Sequence, residues 1–230
     1  MIEEIANGID AHQFNAEYIF GNGDAATRQL AKVFSFRMIY GGSAYAFFMD
    51  SNMPSKPLRE WESIREKFYT KYKGLEAWQN KLYTEVCTKG NYSSFTGRWW
   101  VFHKEPDFHG VLKYSRPAVC NYIVQGTATG DIVPFAIMII RKQIIDEGLD
   151  AKIICQVHDS LVVDSCTKDT DRVAEIIWTT FNKLPDYISK YWDYNWFVKM
   201  TGEVEVGYNY KDLKKMFGKE GRLAYTKELI

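Results

Sequence analysis

Apolar and polar positions over residues 1–90 alternate at the three-to-four-residue period of helices. Residues 3–20 read as a first helix, and the turn GNGD (21–24) ends in Asp24, an N-cap for a second, AATRQLAKVFSFRMIY, which Gly41 and Gly42 close. A third helical stretch runs from Leu58 to Lys89 with a break at KGLE (73–76). The period then shortens. SFTGRWWVFH (94–103) reads as an aromatic strand, and Pro117 to Glu147 as helix again, with a break near Gly126 and Pro134 because an interior proline forfeits a helix hydrogen bond. AKIICQV (151–157) and SLVVD (160–164) read as a β-hairpin joined by a bare His-Asp turn; residues 168–183 are helical, and GEVEVGYNY (202–210) is a last strand. The pattern predicts an α+β fold with antiparallel pairing and, lacking repeats or a Gly/Ser/Pro linker, no domain boundary visible from composition.

With 46% hydrophobic residues among 230, the chain can bury a substantial core. Its formal net charge is zero, so any binding of nucleic acid has to come from locally clustered Lys and Arg. Cys87, Cys120, Cys155 and Cys166 form no CxxC pair, and MIEEIANGID is acidic where a secretion signal is basic and then apolar, so a reducing, cytoplasmic setting is expected. IVPFAIMII (132–140) falls short of the ~20 residues of a membrane span, so no membrane partner is expected.

Candidate chemistry sits in two places. Arg28, Lys32, Phe36 and Tyr40 recur every four residues and share one stripe of the second helix. Two cations followed by two aromatics suit a nucleoside triphosphate, with donors for the phosphates and rings for sugar and base. The same pattern also describes a surface helix whose Leu30, Val33, Phe34 and Phe36 face the core while its cations are solvated. The second place is CQVHDSLVVD (155–164), where Asp159 at a hairpin tip is a metal-ligand candidate; catalysis with a hard divalent cation normally needs more than one carboxylate. His103 and His109 lack the companions of a zinc site. REKFYTKYKGLEAW (65–78) interleaves basic and aromatic residues, which suits tracking a nucleic-acid backbone and equally a solvated helix with a buried aromatic stripe.

The series Arg28, Lys32, Phe36, Tyr40, Gly41, as R-x3-K-x3-F-x3-YG, resembles the fingers-helix motif of family A DNA polymerases, the bacterial DNA polymerase I type. Further segments resemble that family in its order: IDAHQ (9–13), FTGRWW (95–100), NYIVQGTA (121–128), QVHDSLV (156–162) and VEVGYNY (204–210). The resemblance implies fingers helices over 1–90 and, over 91–230, the remainder of a partial palm with an antiparallel sheet, its catalytic hairpin at 152–165 and a C-terminal tail at 211–230. The function it implies is template-directed addition of deoxynucleotides to a primer 3′ end with two Mg²⁺ ions. Asp159 would be a shared metal ligand. The family's first metal-binding Asp lies in a D-Y-S-x-I-E strand upstream of the segment matched by IDAHQ, and this sequence begins eight residues before that segment. The resemblance therefore implies a partner polypeptide that carries this strand and the thumb, as in a split polymerase, and half a palm with one side of its sheet uncovered. Asp50, which follows AYAFFM, is no substitute and reads as a loop residue.

In the implied site, His12 and Arg28 hold phosphates, Lys32 neutralises or protonates the leaving pyrophosphate, Phe36 packs on the incoming sugar, and Tyr40, with Gly41, lies near the templating base. Asn121 and Gln125 reach minor-groove acceptors common to every correct base pair, and His158 lies beside the primer terminus. Arg98 either contacts a phosphate or braces its hairpin. Arg116 is a DNA-binding candidate although it stands one place further from Asn121 than in the family, with Pro117 in the matching position. Ser160 replaces the usual Glu, a feature shared with single-subunit RNA polymerases, and Pro134 predicts a kink. The tail beyond Tyr210 is expected to dock a partner. The alternatives are part of a single-subunit RNA polymerase and a non-catalytic DNA-binding remnant.

Overall fold

The structure, a computed structural model, describes residues 4, 7, 9–107 and 109–223; the end of the expected tail, 224–230, and residues 3, 5, 6 and 8 of the expected first helix lie outside the described residues. Packing divides the chain into two units, 1–127 and 128–230. The helix that follows the aromatic hairpin packs on the first unit.

In the first unit, Asp10 caps α1 (Ala11–Asn15), which continues as a π-helical turn, Ala16–Phe20, and ends at Gly21 with φ +72°. Residues 3–20 are thus not one helix: the chain enters α1 only at the Asp10 cap. Asp24 accepts from the Thr27 backbone N–H at 2.7 Å and starts α2 (Ala25–Ile39), as its position predicted. After the short α3 (Ala44–Phe48) come α4 (Leu58–Lys71) and α5 (Lys73–Lys89). They are separated at Tyr72, whose φ of −109° and ψ of 60° interrupt the helix one residue before KGLE. Buried Phe34, Phe47, Trp61 and Phe68 form the core beneath α2, with the Phe34 ring centroid 4.8 Å from Phe47 and 5.5 Å from Phe68. Phe68, Tyr69 and Tyr72 are buried, so the basic-aromatic run is a helical stripe facing its own core and not a base-stacking surface. Asp50 accepts from the Asn52 backbone N–H at 2.9 Å and pairs with Arg37 at 2.5 Å, as a loop residue.

The expected strand at 94–103 is mostly turn. β1 (Asn91–Ser93) pairs antiparallel with β2 (Trp99–Val101), and Ser94 to Arg98 form the connection, where Gly97 takes φ +84°. A second two-stranded piece pairs β3 (Glu105–Pro106) with β4 (Leu112–Lys113). α6 (Arg116–Thr127) then buries Val119, Cys120 and Ile123 against Leu82, Val86 and Phe102.

The second unit begins in a π-helical stretch, Ala128–Ile132, followed by α7 (Val133–Asp146). The interruption expected near Gly126 and Pro134 is this π-helical stretch, which lies between them. Pro134 falls in the first turn of α7, where its missing N–H and its ring are tolerated. The whole helical run Arg116–Asp146 is 31 residues and meets a membrane span's length and composition, beyond what the nine-residue apolar run suggested. Ile140 and Ile144 of α7 are buried against Val173 and Ile176, as in the core helix of a folded domain.

β5 (Ala151–Val157) and β6 (Ser160–Ser165) form the expected hairpin, with a bulge at Ile154. α8 (Thr170–Asn182) packs against it, and α9 (Leu184–Trp192), unread in the sequence, follows. VEVGYNY supplies only β7 (Val204–Val206), and it is not the last strand. β8 (Lys214–Gly218) and β9 (Gly221–Arg222) complete a three-stranded antiparallel sheet, order β7-β8-β9. The described part of the tail is therefore docked on its own chain: Met216 and Phe217 are buried, Phe217 stacks on Trp178 at 5.4 Å, and Arg222 pairs with Asp171 at 3.0 Å.

Candidate active site

α2 is two-sided. Ala31, Phe34, Ser35 and Met38 are buried, which leaves Lys32 and Phe36 exposed on the other face. Phe36 thus belongs to the outward stripe and not to the core-facing one. Its ring lies 5.6 Å from His12 and stacks on Tyr40 at 6.5 Å with an interplanar angle of 17°. Arg28 donates from Nε and Nη2 to Asp10 Oδ2 at 2.9 and 2.6 Å, beside His12. Burial pushes the His12 imidazole below its ordinary pKa; Asp10 opposes this, and Arg28 and Lys32 push the same way as burial. Burial raises the Asp10 carboxyl, but hydrogen bonds from Arg28 and from the Gln13 and His12 backbone N–H groups outweigh it and hold the carboxyl below its usual range. His12 Nδ1 is buried with no hydrogen-bond partner among the described residues.

The aromatic end of the stripe meets α6. Gln125 Nε2 donates to the Tyr40 hydroxyl at 2.5 Å, and Asn121 lies one helical turn before Gln125. Gly41 takes φ +77°, and a Cβ there would lie 3.2 Å from Arg116 Nε, so glycine allows both the left-handed turn and the close approach of Arg116. Arg116 donates to Asn80 Oδ1 at 2.7 Å. It is therefore brought to the Tyr40–Gly41 corner although its spacing departs from the family's.

Arg98 lies in the β1–β2 connection with its guanidinium 5.5 Å from the Trp100 ring. Trp100 in turn presses on α6: a Cβ at Gly126 would lie 2.0 Å from Trp100 Cη2. Neither Trp100 nor Gly126 was read as a site residue; the only sequence signal was a glycine inside a helical segment. Gly126→Ala is expected to force the indole away and destabilise the protein by about 1–3 kcal/mol, checked by equilibrium unfolding; an unchanged midpoint would contradict the contact.

In the second unit the His-Asp turn is held tightly. His158 adopts φ +53°, uncommon for a residue other than glycine, and its carbonyl accepts from Gln156 Nε2 at 3.0 Å. The same amide donates to the Thr129 carbonyl at 3.0 Å, and Ser160 Oγ donates to the Val157 carbonyl at 2.9 Å. His158 and Asp159 are both exposed. Asp159 and Ser160 open onto a cavity of about 400 Å³, bordered by β6, α8 and β7, whose wall includes Leu161, Val163, Val204 and Val206. β6 pairs only with β5, and β7 only with β8, among the described residues.

The sequence profile described as DNA polymerase family A matches residues 1–212. The chain belongs to that family. This family A polymerase chain is 27% identical over 186 residues to DNA polymerase I of Aquifex aeolicus, covering 77% of this chain and 30% of that relative. To DNA polymerase I of Pseudomonas aeruginosa it is 26% identical over 182 residues, covering 76% and 19%. The chain thus spans less than a third of the length of these relatives. Among solved structures, the POL domain of Pol1 from M. smegmatis, in complex with DNA primer-template and dNTP, superposes with a TM-score of 0.70 at 22% identity, over 80% of this chain and 32% of that one, a likeness of fold. β8 and β9 lie beyond the residues that the family profile matches.

Proposed function

We propose that this chain is the fingers and partial palm of a DNA-directed DNA polymerase, acting with further polypeptide that carries the first catalytic carboxylate. The observation that carries this reading is a continuous face: the His12 ring meets Phe36, Phe36 stacks on Tyr40, Tyr40 accepts from Gln125, and Arg28 is bound to Asp10, whose carboxylate also caps the turn that carries His12. Guanidinium and ammonium donors at one end suit a triphosphate, and stacked rings leading to an amide suit a sugar, a base and the groove of a base pair. Lys32, exposed a turn after Arg28, can neutralise the departing pyrophosphate and supply a proton to it.

Asp159 offers one carboxylate at an exposed tip, and no group of three or more His, Cys, Asp or Glu side chains gathers among the described residues. This fits a Mg²⁺ site that takes one or two protein carboxylates and completes its shell with water and substrate phosphate, provided that the second carboxylate comes from outside these residues. Two such ions would supply charge stabilisation to the attacking and leaving oxygens. The edges of β6 and β7 along the cavity beside Asp159, which no strand among the described residues covers, support a place for that polypeptide, since an added strand gives the edges backbone partners.

The test is Mg²⁺-dependent primer extension by the chain purified from its native source with whatever it holds, beside the recombinant chain alone. The native assembly is expected to extend with deoxynucleotides and the lone chain not to. Extension with ribonucleotides would favour a single-subunit RNA polymerase, absence of extension in both preparations a DNA-binding remnant, and extension by the lone chain would remove the need for a partner.

A further inference from the structure

We infer that Asp10 is a positioning residue that aims Arg28 and His12 together at the triphosphate, an assignment that rests on the nucleotide reading above. Its two carboxylate oxygens do different work. Oδ1 accepts from the backbone N–H groups of His12 and Gln13 at 2.9 and 3.1 Å, which fixes the start of α1 and therefore the place of the His12 ring. Oδ2 accepts from Arg28 Nε and Nη2, both on one edge of the guanidinium. Of the five N–H donors of an arginine, that leaves three, one on Nη2 and two on Nη1, directed away from Asp10. A phosphate can bind there without displacing the carboxylate.

The pair does little for stability. The Arg28 and Asp10 side chains are 40% and 43% exposed, and an ion pair so open to water adds little to the stability of the fold. Its consequence is geometric: an otherwise freely rotating arginine is held in one orientation, beside an imidazole whose place is set by the same carboxylate. Lysine at position 28 would carry the charge without the planar fork that fixes the directions of its donors.

Asp10→Asn separates the two duties, since asparagine caps a helix about as well as aspartate but has no charge to hold the guanidinium. In the active assembly, Asp10→Asn is expected to raise KM for deoxynucleotides about tenfold with kcat within about twofold, the effect of losing a charge-assisted orientation and not a reacting group. In an Arg28→Ala background the same change should alter KM by less than about twofold, because there is no longer an arginine to aim. On the chain alone, the Arg28 Nε–H resonance should lose its hydrogen-bonded shift in Asp10→Asn, a readout independent of turnover. An equal KM effect of Asp10→Asn in both backgrounds would show a purely structural cap and overturn the inference, as would an unchanged KM in the single variant while Arg28→Ala raises it. If Arg28→Ala itself leaves KM unchanged, the nucleotide reading of α2 fails and this inference falls with it.

Discussion

Asp159→Asn should abolish primer extension by the native assembly while leaving the fold intact. The carboxylate stands at an exposed two-residue turn, where the nearby hydrogen bonds are made by Gln156, the His158 carbonyl and Ser160 and not by the Asp159 side chain. The Val157–Ser160 pairing and the apolar contacts of β5 and β6 with α7 and α8 should therefore survive the change. The neutral amide keeps the shape and loses the charge that a hard cation requires. A loss of several kcal/mol of charge stabilisation corresponds to about 10³-fold or more in kcat. Because the triphosphate contacts are proposed on α1 and α2, binding should weaken far less than turnover. The measurement is steady-state extension beside circular dichroism and thermal melting of the variant. Activity within about twofold of the parent protein, in a variant that melts normally, would remove Asp159 from the chemistry.

The features legible in the sequence were those with local causes. Asp24 marked the start of α2 because a cap bonds a backbone N–H three residues on, and the four-residue spacing put Lys32 and Phe36 on one stripe, but that Phe36 faces outward followed only from the burial of Ala31, Phe34, Ser35 and Met38. The His-Asp turn was legible because two apolar strands flank it at hairpin distance. Contacts between distant segments were not. Gln125 and Tyr40 are 85 residues apart in sequence, and nothing in either helix marks the hydrogen bond that joins them. Asp10 escaped notice because its cap position was read as helix interior, and the Trp100–Gly126 contact needs the turn of β1–β2, which alternation alone had extended into a longer strand. The π-helical turns at 16–20 and 128–132 carry no signature in hydrophobic periodicity; Gly126 and Pro134 marked that an interruption lies near them, not its π-helical form. β8 and β9 were hidden in a basic tail, where the buried apolar residues of β8, Met216 and Phe217, are adjacent and do not alternate.

The two faces of α2 yield the other large effect, and two residues on one helix should give opposite results. Phe34 is fully buried, with its ring against Phe47, Phe68, Trp61 and Phe20 at centroid distances of 4.8, 5.5, 6.2 and 6.1 Å. Phe34→Ala removes the ring from the middle of this cluster, where large neighbours cannot collapse into the space, and is expected to destabilise the protein by about 3–5 kcal/mol. Against a total stability of about 5–15 kcal/mol this is a large fraction, and it corresponds to a fall in Tm of roughly 6–20 °C. Phe36 is 39% exposed, two residues further on, and touches His12 and Tyr40. Phe36→Ala should leave Tm within a few degrees and act on deoxynucleotide KM instead. Equilibrium unfolding and extension kinetics on both variants separate the roles. A change of less than about 1 kcal/mol for Phe34→Ala would mean that α2 is held by something other than its aromatic underside, and the rigidity that lets one face present cations and rings in a fixed order would need another source.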